Sequence, residues 1–143
     1  MLIRLATTSL FIFKELLLFT KIAQYDSLIL DSFNQIDSAI QEYYWQEGKL
    51  PSDLEILKTD YGYIMDKTLT DPTTNGKYEY KIVEDNKYEL CATFRTDNTT
   101  DTHEDISYSY KDRWPHASGH QCLSQNVKSR VESGMDVKPV PVQ

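Results

Sequence analysis

Cys91 and Cys122 are the two cysteines in this chain of 143 residues. Two thiols admit one disulfide, a pair of free buried thiols, or two soft metal ligands. His116 and His120 stand near Cys122. Together with Cys91 they would supply four nitrogen and sulfur donors, the set that zinc takes in tetrahedral geometry. The His-x3-His spacing suits one face of a helix, but Pro115 and Gly119 flank it and argue against a helix there. A harder cation has a different candidate. Asp97, Asp101, Glu104 and Asp105 place carboxylates within one polar stretch, as calcium requires. Their spacing lacks the central glycine and closing glutamate of an EF-hand loop, and an acidic solvated loop is the plainer reading.

Nothing points to catalysis. There is no nucleophile in a motif, no glycine-rich phosphate loop, and no carboxylate pair in a recognisable frame. Tyr43, Tyr44, Trp45, Tyr78, Tyr80 and Tyr88 could line a ligand platform, but core and sheet-face packing accounts for them better. Asn98-Thr99-Thr100 fits a glycosylation sequon and carries little weight alone. Net charge is −7. Arg4, Lys14 and Lys21 outnumber Glu15 near the front, so the negative charge falls on the body. No cluster of Lys and Arg is present, which argues against a nucleic-acid partner.

The elements that would position these groups begin with a helix. From Asp26 to Trp45 there is no Gly or Pro, and Ile29, Phe33, Ile36, Ile40 and Tyr43 or Tyr44 recur at helical spacing. Asp31, Asn34, Gln35, Asp37, Ser38 and Gln41 fill the opposite face, and Gly48 is the stop. No breaker precedes this stretch, so one helix can run from about residue 8 to 46, too long for one small domain to bury. Its front carries apolar runs at Leu10–Phe13 and Leu16–Phe19, interrupted by Lys14 and Glu15. A marginal membrane anchor, an interfacial helix and the first turns of a packed helix all remain open. After Pro51, Ser52 and Glu55 form a capping-box pattern that predicts a short second helix to about Lys58. Asp71 to Gly76 is a dense turn cluster. The period then becomes two. Tyr78, Tyr80 and Ile82, then Tyr88, Leu90, Ala92 and Phe94, predict an antiparallel hairpin whose inner face packs on the helix, with Cys91 on the other side. Residues 96–112 read as a surface loop, and Leu123–Val127 as a third, edge strand. The expected organisation is an α+β head over 25–127, an apolar stem over 1–24 and a disordered tail over 128–143.

The ordered set Ile36–Ile40, Tyr43-Tyr44, Gly48-Lys49-Leu50-Pro51, Leu54, Asp71-Pro72 and Tyr78-Glu79-Tyr80 resembles type IV pilin-like proteins, most nearly the major pseudopilin of type II secretion. Tyr88-Glu89-Leu90-Cys91-Ala92-Thr93-Phe94, followed by Trp114, His116, Gly119 and Cys122, is similar to uncharacterised membrane-anchored pilin-like proteins of candidate-phylum bacteria. Phe11 to Leu17 is similar to the opening of processed prepilins, in which a glutamate at the place of Glu15 helps to register subunits. The resemblance implies a non-enzymatic structural or interaction protein of the cell envelope. Its head would be extracytoplasmic and its N-terminal helix in the inner membrane. It implies pilin-like subunits or envelope proteins as partners, a Cys91–Cys122 disulfide, and calcium in a head loop as the one possible cofactor. The alternative is a soluble secreted module that uses the acidic loop 97–112 to bind calcium or a protein.

Overall fold

The computed structural model describes residues 3–58, 64–100 and 112–135, with side chains in the first helix described from Thr8 onward. That helix, α1, spans Ile3–Glu47, 45 residues without a break, and is therefore about 67 Å long. It ends where expected. Gly48 takes a positive φ of 72°, which a side chain would resist, and its N–H returns to the Tyr44 carbonyl at 2.9 Å.

The sheet is antiparallel and has the order β1-β2-β3. β1 spans Glu79–Glu84, β2 Lys87–Phe94 and β3 Gly119–Asn126. β3 starts earlier than the expected Leu123, because Gln121 and Gln125 put polar residues on its inner face as well, and the apolar alternation is lost. The β1–β2 register slips between Ile82 and Glu84, whereas β2 and β3 pair without a slip from Lys87↔Asn126 to Phe94↔Gly119.

Only the second half of α1 meets the sheet. Ile29, Phe33, Ile36, Ile40 and Tyr43 are buried against Tyr88, Leu90, Ala92 and Phe94 in one core. Phe33 lies at its centre, edge-on to Tyr78, Phe94 and Trp114 at centroid distances of 5.1, 6.2 and 5.3 Å. That geometry sets the positive ring edge against negative faces.

Three expectations need correction. The short second helix is a 3₁₀ turn, Leu54–Lys58, which buries Leu54 and Leu57. Its cap is Asp53, whose Oδ1 accepts the N–H groups of Glu55 and Ile56. Glu55 instead pairs with Lys58 and Lys77. Asp37 does not face water. It is buried and accepts hydrogen bonds from the Tyr88 hydroxyl and the Arg113 guanidinium. The expected tail begins with order. The Lys128 carbonyl accepts from Gln41 Nε2 and Trp45 Nε1, both at 2.8 Å, and its N–H donates to Gln41. A turn follows, in which Gly134 N–H reaches the Val131 carbonyl. The rest of that tail, 136–143, lies outside the described residues.

The Asp71–Gly76 turn matches its reading. Asp71 Oδ1 accepts from Thr73 and Thr74, Asn75 adopts a positive φ of 56°, and Thr70 bridges Lys77. On α1 the carboxylate of Asp26 is also buried. It accepts the N–H groups of Arg95 and Thr96 and the Thr96 hydroxyl, just past the end of β2. This clasp fixes how far along α1 the sheet sits.

Replacing Asp26 with Ala should lower the unfolding free energy by roughly 2–4 kcal/mol, since two N–H groups lose their acceptor; urea denaturation measures this directly. Burial also raises the phenol of Tyr78 from 10.0 to about 12, and raises those of Tyr80 and Tyr88. Unfolded tyrosines ionise first, so this contribution to stability is whole below pH 10 and lost as pH rises toward about 12. Denaturation midpoints should therefore fall steeply across that window.

Candidate interaction surface

Toward its front, α1 carries large apolar side chains that the head leaves uncovered. Leu10, Phe11, Ile12, Phe13, Leu16, Leu17, Leu18 and Phe19 are 60–74% exposed. Burial begins in earnest at Asp26. Bare apolar side chains point in every direction around the helix, because the residues occupy consecutive positions rather than one stripe. Apolar area of this extent exceeds the singly scattered apolar residues that an ordinary surface carries. Lys14 and Glu15 sit inside it and are exposed as well, Glu15 being the residue expected to register subunits. Among the described residues, no helix is long and apolar enough to cross a membrane.

The cysteines are bonded. Cys91 and Cys122 are direct partners across β2 and β3, with Cα atoms 4.0 Å apart and a sequence separation of 31. The bridge lies on the sheet face turned away from α1. Lys81 brings its ammonium to 3.8 Å from Cys122 Sγ, and His120 Nε2 lies 3.1 Å from Glu79 on the same face.

The two histidines are therefore separated by the sheet. His116 is buried on the core side, stacked on Phe94 at a centroid distance of 3.8 Å. It cannot join His120 around one ion, and both sulfurs are committed to each other. Among the described residues, no group of three or more His, Cys, Asp or Glu is placed to hold a metal. Of the calcium candidates, Asp97 is exposed and accepts from the Thr99 hydroxyl and N–H, and these bonds hold its carboxyl below the usual carboxylate range. Asp101, Glu104 and Asp105 lie outside the described residues.

A buried amide escaped the sequence reading. Asn98 Nδ2 donates to the Trp114 carbonyl at 3.0 Å, and its Oδ1 accepts the His116 N–H at 2.8 Å. Its own N–H reaches the His116 carbonyl at 3.1 Å. Trp114 is held in turn by Nε1–H to Asn34 Oδ1 at 2.8 Å. Asn98 thus ties the two ends of the acidic loop to the core. The only hint in the sequence was an asparagine in a sequon, a motif with an unrelated meaning.

The chain matches no protein-family model, no curated protein and no solved structure.

Replacing both Cys91 and Cys122 with Ala should cost about 3–4 kcal/mol by loop entropy while leaving the sheet intact. Thermal melts of oxidised protein against this variant, with matching far-UV spectra, check both halves of the expectation.

Proposed function

We propose that this is a non-enzymatic structural or interaction protein, pilin- or pseudopilin-like. Its head is displayed outside the cytoplasmic membrane on a helical stem that associates with that membrane or with other envelope subunits. One observation carries the reading. A single helix serves two environments: its second half is packed into a small head, and its first half bears large exposed apolar residues that the head does not cover. Water alone is a poor surrounding for such a stem, since each large apolar side chain removed from it is worth roughly 1.5–3 kcal/mol.

The disulfide supports the same reading. Such bonds form and persist in oxidising compartments, and a head this small gains from a covalent tie. Lys14 and Glu15 make deep insertion costly. A stem lying at the lipid interface, or bundled so that these charges pair, avoids that cost.

Full-length protein should float with phosphatidylcholine–phosphatidylglycerol vesicles in a density gradient. Leu16→Lys with Leu17→Lys should cut the bound fraction by roughly tenfold or more and leave the melting temperature unchanged, because neither side chain contacts the head. Protein that stays at the bottom of the gradient, or binds equally with both lysines, would sink the membrane reading.

A further inference from the structure

The sheet has two edges, and they are treated differently. β1 is short, slips register between Ile82 and Glu84, and carries Glu79, Lys81 and Glu84. A bulge and charges are the usual means of keeping another strand away. β3, at the opposite edge, has neither. Its eight residues, Gly119–Asn126, pair with β2 without a slip and include no Asp, Glu, Lys, Arg or Pro. β1 and β2 both hold acids and lysines, so among the described residues β3 is the uncharged strand, in a chain of net charge −7.

The register tells which backbone groups of β3 are free. Closely spaced partners in an antiparallel pair, with Cα atoms near 4.5 Å, are the non-hydrogen-bonded ones. Cys91 and Cys122 are such a pair, at 4.0 Å. The Val127 N–H bonding to the Asn86 carbonyl confirms the phase, since it places odd-numbered residues of this segment toward β2. His120, Cys122 and Ser124 therefore aim their N–H and C=O groups at the open edge. The Gln121 side chain already donates to the His120 carbonyl at 3.0 Å. Among the described residues, the other free-edge groups of these three have no backbone partner. His120 and Ser124 are exposed and Cys122 half-buried. The disulfide ties the middle of this edge to β2, which limits the order that has to be gained on pairing.

We infer that the β3 edge pairs with the β3 edge of a second copy of this chain, antiparallel about a two-fold axis, to make one continuous six-stranded sheet. Self-pairing sets a surface against itself, so a strongly acidic chain can do this only through an uncharged strip, and β3 is that strip. The interaction belongs to the head and does not depend on the stem.

The test uses the full chain carrying Leu16→Lys and Leu17→Lys, so that failure of the stem reading and failure of this one stay distinguishable. Sedimentation velocity should show a concentration-dependent monomer–dimer equilibrium. Hydrogen exchange followed by NMR should show the amides of His120, Cys122 and Ser124 slowing by roughly tenfold or more between dilute and concentrated protein. Those of Gln121, Leu123 and Gln125 should be protected at both. Ser124→Pro removes an outward N–H without touching the β2 ladder and should weaken dimerisation by at least ~10-fold. Ser124→Lys keeps that N–H, gives a second variant should the proline one not fold, and should weaken the dimer by placing a charge on the pairing edge, the usual guard of an exposed strand. A monomer at all concentrations would overturn the inference. So would a dimer indifferent to both substitutions, or one that leaves the three edge amides fast.

Discussion

A three-stranded sheet has little stability in water unless one face is covered, and here a single helix provides the cover. Phe33 is the contact on which this depends. It is fully buried, and its ring meets Tyr78 just before β1, Phe94 at the end of β2, and Trp114 on the segment leading to β3. Three separate segments that the chain visits after α1 return to this one side chain. The helix can therefore be twice as long as the sheet needs without weakening the fold, since only its second half takes part.

Around that apolar centre, three buried polar side chains are matched to partners from distant parts of the chain. Asp26 receives the end of β2, Asp37 receives Tyr88 and Arg113, and Asn98 joins the start of the acidic loop to its return. Apolar contact tolerates sliding. A carboxylate that accepts three particular hydrogen atoms does not, because an orphaned buried donor is costly. These residues convert a greasy interface into a unique register between helix and sheet.

What was legible in the sequence followed from periodicity. The three-and-four spacing of Ile29, Phe33, Ile36 and Ile40, and the alternation of Tyr88, Leu90, Ala92 and Phe94, gave the correct buried faces, and Gly48 the correct helix stop. Asp37 was assigned to the polar face because its residue type says water, whereas its partners Tyr88 and Arg113 are more than 50 residues away. The Ser52 cap missed by one position, since Ser52 and Asp53 are both good caps and tertiary contacts made by Glu55 decide between them. β3 was read short because His120, Gln121, Ser124 and Gln125 do not alternate in hydropathy. The exposed state of Leu10 to Phe19 was implicit in the length of the helix, though what meets those residues was not.

The Asn98 clasp has a consequence for how this head can change over evolutionary time. Backbone and amide hydrogen bonds close the neck at Asn98, Trp114 and His116, so these positions stay together whatever number of residues joins them. Lengthening a closed loop costs only about 0.6 kcal/mol per doubling. By loop entropy alone, length added beyond this neck and clear of Arg113, which holds Asp37, is inexpensive. For the same reason that stretch is a natural graft point for a foreign epitope.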